Sequence, residues 1–237
     1  LHSHCFRVLG MPKIVSPSDV SEWNERGTYV LSGAGFESAR QADDLSDRAE
    51  GGGQTDGDKL LARLDMLRHR LTPREKWQSE VLEFAEAWEA FLEEQSLCDF
   101  TGLIERVYRS GDPAPGHPAV IMCDEAQDMS RLEYSVVCRW CESARAIFVV
   151  GDGLQALYTW RGADPSIFDD PSVPETHRRV LSQSYRVPRR VLDLAVAWVS
   201  EFSSSQRVPE YRARRGDGGL EVPGVVGVRE ATQGDTD

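Results

Sequence analysis

The sequence predicts an α/β fold with a parallel sheet and a mostly helical segment inserted ahead of it. Two observations carry the sheet. Residues 119–124 and 146–150 are short continuous apolar runs that end abruptly in polar residues, and a helical stretch, 130–143, lies between them. Strand, helix and strand at this spacing make a parallel unit, because parallel neighbours need a crossover. A third observation carries the insertion: residues 59–110 repeat apolar residues at helical spacing.

Taken in order, residues 1–10 read as a helix start, and 28–32 as a short strand or the tail of a loop. Residues 33–58 are rich in Gly, Asp, Ser and Gln, with Gly51, Gly52 and Gly53 in the middle, and are expected to be a mobile surface loop. Residues 59–71 read as a helix. Thr72 and Pro73 then fit the N-cap and first position of a long helix, 73–97. Its Trp77, Val81, Phe84, Trp88 and Phe91 fall on one face. Glu80, Glu83, Glu86 and Glu93 surround that face and would repel phosphates, so the stripe is read as core rather than as a base-stacking platform. Asp99 precedes a helix at 101–110, and a Gly/Pro-rich loop, 111–118, leads into the first strand. That strand has the length of one buried in a parallel sheet. A third strand is expected at Arg179–Ser182, and a helix at about 188–203 with Val191, Leu194, Ala195 and Trp198 on one face. The tail 214–237 is Gly-rich, and Val225–Val228 reads as one further strand.

Composition narrows the class. The net charge of −12 argues against nonspecific nucleic-acid binding over the whole surface. The charge is uneven, however: segment 37–58 holds seven acids against two arginines, and segment 176–215 holds nine arginines against three acids. A local basic face can bind phosphates whatever the global sign, or can simply be a solvated helix face. The 5 cysteines are odd in number and scattered, which fits a reduced cytoplasmic protein better than a disulfide framework. On a helix, Cys138 and Cys141 would be neighbours, read as buried rather than as half of a zinc site. No apolar stretch approaches a membrane span, and no signal peptide is visible.

The chemistry concentrates at the strand ends. Asp124 and Glu125 follow the first strand, where open α/β sheets bind ligands. One carboxylate can hold Mg²⁺ through a water, and the other can take a proton from an attacking water. Such a pair is the Walker B half of a nucleotide hydrolysis site, although Asp-Glu after a strand also serves as a helix cap. The other half, G-x-x-x-x-G-K-[ST], cannot be written in these residues: none of Lys13, Lys59 and Lys76 follows a glycine. A fragment of a longer chain, with the phosphate loop upstream of Leu1, is the expectation. Two further clusters follow the next two predicted strands, Gly151 to Asp164 and Gln183 to Arg186. Within them Gln155 has an amide that both donates and accepts, so it can bridge a phosphate and a neighbouring element. Tyr158 and Trp160 are turn aromatics suited to stacking on unpaired bases, and Trp160 alone would more often be a packing residue. Arg186 can reach a γ-phosphate as a charge clamp.

In this order the clusters resemble those of superfamily 1 DNA helicases of the UvrD/Rep/PcrA type. Asp124-Glu125-Ala126-Gln127-Asp128 resembles their motif II, Gly151 to Asp164 their motif III, and Ser184-Tyr185-Arg186 the start of motif IV. Leu1-His2-Ser3 resembles the end of element Ib, and Asp99 to Ile104 the element before motif II. Gly102, Gly153, Leu154, Leu157 and Ser184 depart from the usual residues, and motifs V and VI are missing. The resemblance implies a partial RecA-like P-loop NTPase sheet. Residues 1–10 and 98–175 would belong to the first RecA-like domain, 11–97 to a helical 1B-like insertion, and 176–237 to the beginning of the second RecA-like domain. It implies ATP and Mg²⁺ as cofactors. Asp124 would hold Mg²⁺, Glu125 would be the general base, and Gln155 would sense the γ-phosphate. Tyr185 would stack near adenine, and Arg186 would contact the γ-phosphate. Trp160, Tyr158 and Arg161 would meet single-stranded DNA, with His2 and Ser3 near its backbone. Single-stranded DNA and single-strand/duplex junctions would be the partners, in repair, replication or recombination. The motor of a RecB/AddA-like helicase-nuclease, a noncatalytic DNA-binding remnant and an unrelated α/β NTPase stay open as alternatives.

Overall fold

Capping side chains fix most helix starts in the computed structural model, which describes residues 1–33, 36, 55–202 and 211–214. The chain divides into two compact units, Leu1–Asp170 and Pro171–Asp237, and each is described by itself.

In the first unit, α1 spans His2–Val8 and α2 spans Pro17–Glu25. Sequence reading assigned no element to α2, although Ser16, Pro17 and Asp19 spell its start. The Asp19 carboxylate accepts the Ser16 amide at 2.9 Å and the Lys13 ammonium at 3.0 Å. Residues 28–32 form no strand. Instead Asn24 donates to the Leu31 carbonyl and accepts its amide, both at 2.8 Å, which seats Leu31 in the core.

Helix α3, Asp56–His69, begins earlier than expected because Thr55 caps it. Thr55 Oγ1 accepts the Asp58 amide at 3.1 Å, and Asp58 accepts the Thr55 amide at 3.0 Å. Residues 56–58 are therefore helix rather than loop, whereas 34–35 and 37–54 of the expected mobile loop lie outside the described residues.

Pro73 does not open the long helix. It is extended, with φ −57° and ψ 139°, and leads only a 3-10 turn at Arg74–Lys76. Trp77 is extended too and its indole donates back to the Thr72 carbonyl at 2.9 Å, so α4 starts at Ser79 and runs to Glu94. Its aromatic stripe is core, with Phe84, Trp88 and Phe91 buried and Trp23 of α2 meeting all three edge-on. Together α2, α3 and α4 close one apolar core around these rings.

A second core joins α1, α5 (Phe100–Ser110) and α6 (Arg131–Cys141), with Leu103, Ile104, Val107, Leu132 and Val136 buried. Asp99 caps α5 by accepting the Gly102 amide, and Gly111 ends it at φ 70°, a left-handed position that glycine takes without strain. Between the two cores lies a buried polar layer. Arg68 of α3 donates to both oxygens of Asp99, at 2.9 and 3.1 Å, and to Glu105 at 2.8 Å, while the Trp88 indole donates to Asp99 at 3.0 Å.

Strands β1 (Val120–Cys123) and β2 (Ala146–Val149) pair in parallel with Met122 opposite Phe148, and α6 makes the crossover between them. The expected burial of the sheet holds on one face only. Ile121 packs against the second core, but Met122 is 75% exposed and Phe148 52% exposed. A parallel strand is buried only when layers cover both faces, and the described residues supply one. Cys138 is likewise exposed, and Cys123 and Cys141 are half-buried, because α6 turns its apolar side toward α5 instead. No described helix is long and apolar enough to cross a membrane.

In the second unit α7 spans Arg189–Phe202. Residues 179–182 are not a strand. Among the described residues, pairing is limited to a bridge between Gln183 and Arg212, with the Ser184 amide donating to the Arg212 carbonyl at 2.8 Å and the Arg212 amide to the Ser182 carbonyl at 2.7 Å. A single bridge does not fix the successive residues that a strand needs. Val225–Val228 lies outside the described residues.

Candidate functional site

The parallel pairing of β1 and β2 brings two loops together at the carboxyl ends of the strands, the position at which open α/β sheets hold ligands. The Val150 amide donates to the Cys123 carbonyl at 2.8 Å and the Ala126 amide to the Val150 carbonyl at 2.9 Å, which extends the contact past the ladder. Asp124 and Glu125 sit on the first loop, both exposed. Glu125 has φ 50° and ψ 41°, a left-handed conformation rare for a side-chain-bearing residue. Its amide donates to Asp124 Oδ1 at 3.0 Å.

Gln127 laces the two loops. It is 3% exposed at the start of a short 3-10 turn, Ala126–Asp128. Its Nε2 donates to Glu125 Oε2 at 2.7 Å, and its Oε1 accepts the Asp152 amide at 3.0 Å. The loops approach so closely that a Cβ on Gly151 would strike Gln127 and Phe168 and come within 2.9 Å of the Ala126 nitrogen. Asp152 in turn accepts the Leu154 amide at 3.0 Å and the Gln155 side chain at 2.8 Å. Gln155 is exposed on the same side as this loop pair.

The rest of the second loop is pinned to the start of α6. Ser130 caps α6, accepting the Glu133 amide at 3.2 Å and donating its own to Glu133 at 2.8 Å. It also bridges Ala163 in antiparallel fashion. The Asp164 amide donates to the Met129 carbonyl at 2.9 Å, and Arg131 donates to the Asp164 carboxylate at 2.6 Å. Between the two anchored ends a 3-10 turn, Thr159–Arg161, presents the aromatics. Trp160 is 50% exposed. The Arg161 guanidinium lies 5.5 Å from the Tyr158 ring and 5.8 Å from the Trp160 ring, a cation between two faces.

Electrostatics link the turn to both neighbours. Burial raises the Asp128 carboxyl above the usual range, Glu125 raises it further, and Arg161 opposes them. Burial lowers the His2 imidazole; Glu133 pulls the other way, while His69 and Arg161 add to the lowering. The His2 ring meets Phe100 edge-on at 5.8 Å, and exposed Ser3 follows it on α1.

The structure therefore brings Asp124, Glu125 and Gln155 together around Gln127, and sets Tyr158, Trp160 and Arg161 on one turn with His2 within electrostatic reach of Arg161. Tyr185, 86% exposed, and Arg186 belong to the second unit, where the Ser184 hydroxyl accepts the Arg186 amide at 3.3 Å. Sequence reading gave no role to Gln127, Ser130 or Arg131.

Among the described residues, no three or more His, Cys, Asp or Glu are grouped to hold a metal by themselves. Mg²⁺ needs no such group, since it is held by one or two carboxylates together with substrate phosphates. The hard oxygens of Asp124, exposed at the strand end, fit that ion.

A model of the UvrD/REP helicase N-terminal domain matches residues 58–172, which takes in α3 to α6, both strands and both loops. The ATP-dependent DNA helicase PcrA of Leuconostoc citreum is 29% identical over 143 residues, 56% of this chain and 19% of that protein. PcrA of Bacillus subtilis (strain 168) is 29% identical over 160 residues, 64% of this chain and 21% of the relative. A probable DNA helicase II homolog of Mycoplasma genitalium is 32% identical over 79 residues, 32% of this chain and 11% of the relative. The chain thus spans 19% and 21% of the two PcrA proteins it matches. With the acid pair, the laced loops and the aromatic turn all inside the matched region, these likenesses support a fragment similar to superfamily 1 DNA helicases of the UvrD/PcrA type.

Proposed function

We propose that this chain is the part of an ATP-dependent DNA helicase that couples nucleotide hydrolysis to the grip on single-stranded DNA. One observation supports the reading above the others: Gln127 bonds the Glu125 carboxylate with one end of its amide and the loop of Gln155, Tyr158 and Trp160 with the other. Two hydrogen bonds thereby connect the acid pair to Asp152, at the head of the loop that goes on to the aromatic turn.

In this reading Asp124 holds Mg²⁺, which when bound neutralises phosphate charge. Glu125 takes the proton of the attacking water, its Oε2 kept in place by Gln127. Gln155 senses the γ-phosphate from the strand end, and Asp152 restrains its amide. Tyr185 stacks near adenine and Arg186 contacts the γ-phosphate. Trp160 and Tyr158 stack on unpaired bases, and Arg161, His2 and Ser3 meet the DNA backbone. Residues 1–10 and 98–175 form part of the first RecA-like domain, 11–97 a 1B-like insertion, and 176–237 the beginning of the second. The separate cores of α2–α4 and of α1, α5 and α6 support that division. The substrates are single strands and single-strand/duplex junctions in the cytoplasm, in the service of repair, replication or recombination.

The test is Trp160→Ala. Binding of a fluorescent oligothymidylate should weaken by about 1–3 kcal/mol, the worth of one base–aromatic stack. Unchanged affinity removes Trp160 from the DNA path.

A further inference from the structure

The last turn of α3 carries two polar residues, Arg68 and His69. Arg68 is spent on Asp99 and Glu105. His69, its neighbour, reaches the other end of the polar layer. Its Nδ1 lies 3.0 Å from Ser130 Oγ and its Nε2 3.4 Å from Thr101 Oγ1. Thr101 donates its own hydroxyl proton to Asp65 at 2.8 Å. One set of protons satisfies the whole chain: Ser130 donates to Nδ1, Nε2 donates to Thr101, and Thr101 donates to Asp65. Ser130 is also the cap of α6 and the bridge partner of Ala163.

The same histidine touches the aromatic turn directly. Gly162, which follows Arg161, has φ 98°, and a Cβ there would lie 2.8 Å from the His69 Cβ. Only glycine fits against α3 at that point. The His69 stem thus sits beneath the end of the Thr159–Arg161 turn while its ring holds the cap residue bonded to the strand of backbone beyond it.

We propose that His69 is a positioning residue for the Trp160–Arg161 turn: α3, through this one side chain, fixes the height at which the stacking aromatic is presented. The DNA part of this inference rests on the single-strand reading above, and the geometric part does not.

The experiment uses fluorine NMR on the 237-residue chain labelled with fluorotryptophan at its 6 tryptophans. Loss in Trp160→Phe identifies the Trp160 line. In His69→Ala that line should shift and broaden while those of Trp23 and Trp88, which report the first core, stay in place. His69→Asn, whose carboxamide oxygen can accept from Ser130, should bring it back toward the parent position. Where His69→Ala unfolds the chain, His69→Gln serves, with the ring replaced and polarity kept. A Trp160 line that does not move overturns the inference. In parallel, His69→Ala should weaken oligothymidylate binding about 2- to 10-fold, the scale of one hydrogen bond. If Trp160→Ala binds as tightly as the parent, the single-strand reading falls and the fluorine spectra alone judge the positioning.

Discussion

Glu125 is held where a glutamate does not rest by choice. Its left-handed backbone costs about 1–2 kcal/mol, and two hydrogen bonds offset that cost, its amide to Asp124 and its carboxylate to Gln127. Such positions cluster at sites where geometry serves chemistry. Joined to a phosphate loop, a Glu125→Gln variant should lose about 10²- to 10⁴-fold in hydrolysis rate, the usual worth of a general base, and keep its nucleotide affinity. Phosphate release measured beside nucleotide binding checks this, and turnover equal to the parent's would move the base elsewhere. The carboxylates were legible from sequence because they end an apolar run. Gln127 and His69 were not, because their meaning arises from partners 25 and 61 residues away. Nothing local distinguishes His69 from an ordinary residue near a helix end.

Among the elements, the seam between α3 and α5 has the largest electrostatic stake. Burial alone would raise the Asp99 carboxyl, but the Arg68 guanidinium and the hydrogen bonds from Arg68, Trp88 and Gly102 hold it below the ordinary carboxylate range. A carboxyl depressed on folding adds stability above its unfolded pKa, and loses that contribution as pH falls through its folded value. Urea midpoints should therefore be level near neutrality and decline on acidification below about pH 4. Arg68→Ala should cost about 3–5 kcal/mol at neutral pH by stranding a buried carboxylate. Its deficit should shrink in acid, as Asp99 takes a proton; a deficit independent of pH would mean that packing, not charge, holds the seam. Caps were an uneven guide among the elements: Ser16 and Thr55 open α2 and α3, yet neither start was read from the sequence. Asp99 marked α5, and the apolar run at 119–124 marked β1. Pro73 misled because a proline at a first helical position also suits a 3-10 turn, and the indole of Trp77 decided between them. Residues 179–182 have strand composition without a partner strand among the described residues, and composition cannot supply one.

At the scale of the whole molecule, the likeness to these helicases was readable because motif order survives when identity falls to 29%. The openness of the sheet was not, since burial is decided by whatever layer comes to lie above. The 237 residues hold no lysine after a glycine. We expect them by themselves to release no phosphate from ATP, because nothing in them neutralises the β- and γ-phosphates as a phosphate loop does. Glu125-dependent turnover by the purified chain would refute this.

The bare face of the sheet has a colloidal consequence. Val120, Met122 and Phe148 form an adhesive apolar patch, and two strands leave backbone edges open beside it. What keeps copies of the chain apart is mutual repulsion from a net charge of −12. Salt shortens the reach of that repulsion to about 3 Å at 1 M and leaves the apolar attraction intact. High salt, which on the single-strand reading should weaken DNA binding, is therefore also the condition in which copies of this chain are expected to associate.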